Sequence, residues 1–277
     1  MMNQQALNRA KMPQSTNRIL NSRSIHHSNK RLSELVKPGM HILDVGCGSG
    51  AITYGIAELV GPGGKVVGID SSEALIIEAK ERYQHIPQLS FEVRDIYQMS
   101  YEAAFDIVNA SRVLQWLDQP ELALQRMIRA VKLGGKVLVL DYNHEKLRTE
   151  PEFPASMAHF YRRFLDWRSD VGMDNAIADQ LEVYFKQNAL TQVSVTNQSE
   201  KSVRGWEGFE TAAGIWAEVA ASRGHQLVED RYLTEAERSA AEQDYREWVR
   251  ELAMEHEMYL LAVEGVRAVG GLSIEEG

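Results

Sequence analysis

Between Met40 and Tyr142 the chain alternates short apolar runs with stretches of helical character. The first run is His41-Ile42-Leu43-Asp44-Val45, and helix signals continue through Ala51–Val60 until Gly61-Pro62-Gly63-Gly64 stops them. Lys65–Asp70 is the second run, and Ser71 or Ser72 is placed to cap a helix reaching Tyr83, since a serine oxygen accepts a first-turn N–H. Leu89–Arg94 and Phe105–Asn109 are the third and fourth runs. A helix from Pro120 to Val131 is expected to stop at Gly134-Gly135, before a fifth run at Lys136–Asp141. This rhythm predicts βαβ units and a parallel sheet.

Residues 145–187 break the rhythm and read as a helical insertion entered through Pro151 and Pro154. Val193-Ser194-Val195-Thr196 then alternates like a strand. Helices are expected over 207–222 and 235–256, the second opened by the capping box of Thr234 and Glu237. Met258–Val263 reads as a last buried strand, which makes seven strands in one open sheet. Within the insertion, Phe160, Phe164 and Trp167 recur at helical spacing and share one face. That face either packs the insertion onto the sheet or forms an aromatic wall. Tyr161 and Arg168 fall on a neighbouring face.

The 277 residues, 44% hydrophobic and 25% charged, suit one α/β domain with insertions. The only cysteine is Cys47, so no internal disulfide forms and no zinc-ligand spacing exists. The first thirty residues carry no apolar signal core, and no run is long and apolar enough to span a bilayer. A cytoplasmic location is the expectation. A net charge of −9 argues against nucleic acid as the main partner. The charge is uneven: residues 1–40 carry seven Lys/Arg against Glu34, while thirteen acids face five bases from Glu229 onward. The basic arm is either solvated or folds over an anionic ligand or the acidic end of its own chain.

The segment Asp44-Val45-Gly46-Cys47-Gly48-Ser49-Gly50 follows a strand and opens a helix. Glycines there let the backbone turn tightly and approach a ligand, and the helix N-terminus offers free N–H groups. The spacing Gly46-x-Gly48-x-x-Ala51 also fits a dinucleotide fingerprint. Asp44, inside the glycine signature, can face a cationic ligand. Asp70, ending the second strand, can accept from ribose hydroxyls. Asp95, closing the third, can accept from an adenine amino group, which a dinucleotide site does not require.

These segments resemble the ordered motifs of class I S-adenosylmethionine-dependent methyltransferases. Asp44–Gly50 is similar to the first motif, Val66–Asp70 to the second and Val93–Ile96 to the third. Phe105–Ala110 with Val113–Leu117 is similar to the fourth, and Val131–Leu138 to the segment after it, with Leu133 where the family often has proline. The branch most resembled holds the ubiquinone/menaquinone-type small-molecule methyltransferases. The resemblance implies an α/β Rossmann-like, doubly wound, seven-stranded, mostly parallel sheet with an antiparallel last strand inserted near the edge. A helical lid insertion and a basic N-terminal arm complete it. The expected parts are residues 1–37 as arm, 38–144 as cofactor-binding core, 145–190 as lid and 191–277 completing the sheet. S-adenosylmethionine is the implied cofactor. Asp44, Gly46 and Gly48, with Cys47 between them as a small filler, would face its methionine part. Asp70 and Ser71 would hold the ribose, Asp95 and the Ile96 amide the adenine. Asn109, Ala110 and Ser111 would border the sulfonium. Gln115 stands where relatives often carry histidine.

The activity implied is methyl transfer to an O, N or C nucleophile of a small molecule, by in-line displacement that needs mainly proximity and alignment. A base is needed only for a protonated nucleophile. His144, following the fifth strand, is the first candidate for that base or for a substrate ligand, and Tyr142 can line the pocket. Asn17, Arg18 or Arg23 of the arm are expected near the site. No metal cluster is expected, because Asp174-Asn175 and Asp118 form no oxygen-ligand set. An NAD-dependent oxidoreductase and a non-catalytic S-adenosylmethionine-binding protein remain as alternatives.

Overall fold

The computed structural model describes residues 4–11, Asn21 and 23–269. Helices α1 (Gln4–Ala10), α2 (Ile25–Ser28) and α3 (Lys30–Leu35) precede strand β1 (His41–Val45). Then come α4 (Ala51–Val60), β2 (Lys65–Asp70), α5 (Glu73–Tyr83), β3 (Leu89–Val93), β4 (Phe105–Ser111), α6 (Pro120–Ala130) and β5 (Val131–Tyr142). The remainder is β6 (Arg148–Glu150), α7 (Ala155–Ser169), α8 (Ile177–Gln187), β7 (Leu190–Asn197), β8 (Glu200–Val203), α9 (Phe209–Ala213), α10 (Ile215–Ser222), α11 (Gly224–Glu229), α12 (Glu235–Glu251), β9 (Glu255–Met258) and β10 (Leu260–Arg267).

The main sheet has seven strands in the order β3-β2-β1-β4-β5-β10-β7. β1 to β5 pair in parallel, and β10 runs antiparallel between β5 and β7. The fold is therefore the α/β Rossmann-like one expected. Alternation along each strand divides the core into two clusters. Ile42, Leu138 and Leu140 face Phe160, Phe164 and Trp216, whereas Leu43, Val137 and Val139 face Leu124, Leu181 and Phe185.

Several elements differ from the sequence expectation. β5 begins at Val131, ahead of Gly134-Gly135, because Val131 already pairs with Phe105. The glycines sit in a register shift between the Phe105 and Ile107 pairs rather than at a helix stop. The C-terminal helix keeps its capping box at Thr234 but ends at Glu251, since β9 takes up Glu255–Met258. The helix expected over 207–222 is two, α9 and α10. Strands β6, β9 and β8 form a second, three-stranded antiparallel sheet. Helix α8 packs with the main sheet's opposite face through Ile177, Leu181 and Phe185, so it covers the sheet rather than the lid. The N-terminal helices α2 and α3 insert Ile25 and Leu32 into the core, both essentially buried. Two bases of the basic region meet the acidic C-terminal part: Arg9 pairs with Asp230 and Arg31 with Glu264.

Candidate active site

The C-terminal end of β1 turns through Gly46, Cys47 and Gly48 into α4. Gly46 has φ +67, and a β-carbon there would collide with the Val113 side chain. Gly50 has φ +80, and its β-carbon would come within 2.7 Å of the Phe91 ring. Only glycine fits such positions without strain. The loop is held from below, as Gly48 N donates to Asp70 Oδ2 at 2.9 Å and Cys47 N to Ile69 O at 3.0 Å. Asp70 also accepts from Ser72 N at 2.9 Å, and burial pushes its carboxyl up despite these bonds.

Asp44 is buried beside the loop. Its carboxylate accepts from Thr53 Oγ1 at 2.7 Å and from Asn109 Nδ2 at 2.7 Å. Burial pushes it up to about 6, against those two bonds. Asn109 is fixed in turn by Asn29 Nδ2, which donates to Asn109 Oδ1 at 3.1 Å and to Ser111 Oγ at 2.7 Å. Asn29 comes from the junction of α2 and α3, so the N-terminal region builds part of this floor.

A cavity of about 30 Å³ lies under the loop, bordered by Arg23, Asp44, Gly46–Ser49 and Ser111 among others. That volume holds about one water, so a larger ligand requires its walls to move. The buried Ser49 Oγ has no partner among the described residues. Burial of Arg23, and then Arg112 near it, lowers its guanidinium pKa, with Tyr142 and Glu200 opposing the shift. Burial raises the Cys47 thiol well above its ordinary range, which suits a filler.

Asp95 lies two residues past β3, whose Val93 pairs with Asp70. It accepts from Tyr97 N at 2.9 Å and caps the turn that buries Ile96. Ser71 is exposed beside Asp70, and Ala110 is buried in β4 opposite Val45. Asp44, Gly46, Cys47, Gly48 and Ser111 thus share one cavity, while Asp70, Asp95 and Ile96 continue along the strand ends. Asn17 and Arg18 lie outside the described residues.

Beyond β5, Tyr142 hydroxyl accepts from Arg112 Nε at 2.8 Å and lies 3.1 Å from Glu200 Oε2. Arg112, whose φ is +62, also donates to Ser28 O at 2.9 Å and to Glu200. His144 is 4% exposed, and its Nε2 lies 2.7 Å from Gln115 Oε1 and 3.2 Å from Arg168 Nη1. Burial, then the Arg168 charge, holds this imidazole well below its ordinary pKa. Arg168 is wholly buried, donating to Asn175 Oδ1 at 2.8 Å and to Gln115 O at 2.8 Å. Its guanidinium and that of Arg223 lie 4.5 and 3.9 Å from the centre of the Trp116 ring. Burial brings them down to about 10 and about 9, with Arg168 adding to the effect on Arg223. Sequence reasoning missed Asn29, Ser49, Arg112, Glu200 and Trp216. Ser49 lies inside the glycine segment and Arg112 beside the fourth motif; no local signal marked the other three.

A family model described as a methyltransferase domain matches residues 36–198. The chain belongs to this family, and the match spans the ordered motifs from the glycine loop to the fifth strand. It is 39% identical over 111 residues to an uncharacterized methyltransferase of Schizosaccharomyces pombe, covering 37% of this chain and 40% of that one. It is 32% identical over 121 residues to demethylmenaquinone methyltransferase of Lactococcus lactis, covering 43% and 47%. The chain spans 36% to 55% of the length of the first curated relatives it matches. Among solved structures, the YcgJ protein of Bacillus subtilis superposes with a TM-score of 0.59 at 13% identity, covering 88% of this chain and all of that one. Phosphoethanolamine N-methyltransferase 2 of Haemonchus contortus, solved with S-adenosylhomocysteine, gives 0.54 at 17% identity, covering 86% and 52%. At these identities the superpositions speak for the fold. Among the described residues no helix is long and apolar enough to cross a membrane, and no metal-binding cluster of His, Cys, Asp or Glu is present.

Proposed function

We propose that this chain moves the methyl group of S-adenosylmethionine to a small molecule. The observation that carries this reading is the charge arrangement around the cavity under the glycine loop. Asp44, Arg23 and the Ser49 hydroxyl, which has no partner among the described residues, all border it. A carboxylate, a guanidinium and a hydroxyl around one cavity complement an α-amino acid zwitterion, the methionine end of this cofactor. Dinucleotide phosphates are disfavoured beside a buried carboxylate, which weighs against the oxidoreductase alternative. The residues therefore fit the cofactor.

When bound, the cofactor supplies a methyl group already activated by its sulfonium. Asp44 would hold the ammonium, and Arg23, Ser49 and the first amides of α4 the carboxylate. Cys47 would fill the loop. Asp70 would accept from the ribose with Ser71 at its rim, and Asp95 and the Ile96 amide would meet the adenine. Asn109, Ala110 and Ser111 would border the sulfonium. Tyr142 and His144 would line the acceptor side, with burial and the Arg168 charge holding His144 neutral. The remaining task is alignment and exclusion of water, which the lid of α7 and α10 can provide.

Calorimetry with S-adenosylhomocysteine and NAD tests the reading. Binding of the first and not the second is expected, with Asp70→Ala weakening it by about 2 kcal/mol. Binding of NAD alone would overturn the assignment. Binding of S-adenosylhomocysteine without turnover on any acceptor would favour the non-catalytic alternative. An unchanged affinity in Asp70→Ala would remove Asp70 from the ribose.

A further inference from the structure

Arg112 and Tyr142 together carry a carboxylate beside the cofactor cavity, and it is the chain's own. Glu200 Oε1 accepts from Arg112 Nη2, and Glu200 Oε2 accepts from the Tyr142 hydroxyl at 3.1 Å. The same hydroxyl accepts from Arg112 Nε at 2.8 Å, which leaves its proton for the carboxylate. The guanidinium and the phenol thus form a two-pronged seat, with one donor for each oxygen.

The two halves of this contact differ. The Arg112 side chain is 4% exposed and that of Glu200 42%. Arg112 follows the central strand β4, and its Nη1 donates to Ser28 O at 2.9 Å. Glu200 opens β8, an edge strand of the small sheet. An ion pair with an exposed member adds little to stability, whereas a buried guanidinium left without an anion costs far more. Arg112 therefore requires a carboxylate, but not this particular one. Asp141 does not serve, because it is buried and its two oxygens take the amides of Gln115 and Tyr142, each at 3.1 Å. The seat adjoins the cofactor cavity. Ser111 and Arg23 border that cavity, and Arg23 is close enough for the charges of Arg112 and Glu200 to act on its guanidinium.

Building on the methyl-transfer reading above, we infer that the acceptor is a carboxylic acid, whose carboxylate takes the place of Glu200 on Arg112 and the Tyr142 hydroxyl. Glu200 then swings from its exposed edge into water, and it returns to balance the Arg112 charge when no acceptor is bound. A planar carboxylate fits the seat because its two oxygens match the two donors. A neutral acceptor cannot replace Glu200 without leaving Arg112 unpaired. Arg112 and Tyr142 are thus the residues that select the substrate, and Glu200 competes with it.

The test is nitrogen NMR of the full chain, reading the Arg112 Nε–H resonance during titration with benzoate and with benzamide, with and without S-adenosylhomocysteine. Arg112→Lys identifies the resonance by its disappearance. Benzoate is expected to move it and benzamide to leave it in place. Glu200→Gln removes the competing charge at an exposed position with little change of shape. It should bind benzoate about three- to fivefold more tightly than the wild type does, the scale of a partly exposed ion pair. Unchanged or weaker benzoate binding in Glu200→Gln would make Glu200 a structural latch and overturn the inference. Benzamide binding as well as benzoate, or benzoate binding to neither protein, would overturn it too. The affinity contrast between wild type and Glu200→Gln decides even if Arg112→Lys fails to fold. Displacement of benzoate by S-adenosylhomocysteine would put the anion at the methionine end of the cofactor site and also overturn the inference. If S-adenosylhomocysteine does not bind at all, the cofactor reading falls, while the benzoate contrast still reports on the seat.

Discussion

On the glycine-loop side of the cleft, Asp44, Asp70 and Asn109 are each held by two or more bonds from the chain itself. On the lid side, His144 and Trp216 each keep a buried nitrogen without a partner among the described residues. Ser49 is the exception on the first side, and it faces the cavity. The floor is organised by the chain itself, whereas the lid side leaves polar atoms unused among the described residues. A floor of this kind fixes where the cofactor sits; an incomplete wall decides what may approach it.

The strongest way to break this comparison is through the aromatic packing of the lid. Phe164 is 2% exposed and touches His144, Trp116 and Trp216. Phe164→Ala should cost about 3–5 kcal/mol of stability in denaturant unfolding, with the cavity term included. S-adenosylhomocysteine affinity of the folded fraction should stay within about threefold. A parallel collapse of affinity would mean that floor and lid are one unit.

A medium effect is expected from pH. Asp44 titrates at about 6, raised by burial, and the unfolded carboxyl near its ordinary value. Because the folded pKa is the higher, ionised Asp44 costs stability as pH rises through that window, and protonation removes the cost below it. A ligand ammonium reverses the preference by favouring the ionised form. S-adenosylhomocysteine binding should therefore be tight above pH 7 and weaken by up to about tenfold per unit below pH 6. A flat affinity from pH 5 to about 8 would separate Asp44 from the ligand.

The smallest effect lies furthest from both sides. Thr234 and Glu237 exchange hydrogen bonds at the start of α12, with Glu237 N donating to Thr234 Oγ1 at 3.2 Å. Thr234→Ala should lower stability by about 1 kcal/mol and leave cofactor affinity untouched. Any change in affinity would show that α12 reaches the cleft energetically.

The two sides also differ in how far the sequence reveals them. The floor is made of strand ends and the loop between them, so each acid lies a fixed step from an apolar run. α4 and β2 run between the residues the spacing indicates. The same local logic recovered the α12 cap. The lid side depends on contacts between distant segments. Glu200 reaches Arg112 from β8, a four-residue strand whose pairing with β9 no periodicity announces. Trp216 reads as one more apolar helix residue, and only the fold puts its ring against that of His144. Gly134-Gly135 misled because a glycine pair serves a strand irregularity as well as a helix end.

Strands β9 and β10 are separated by a single residue, Tyr259, although they belong to different sheets. Tyr259 O accepts from Asn143 N at 3.0 Å, one residue before His144. The small sheet is therefore stitched to the large one next to the acceptor side. If the lid swings, its pivot lies where the imidazole is anchored. Opening the cleft and reorienting the His144 ring then become a single mechanical event.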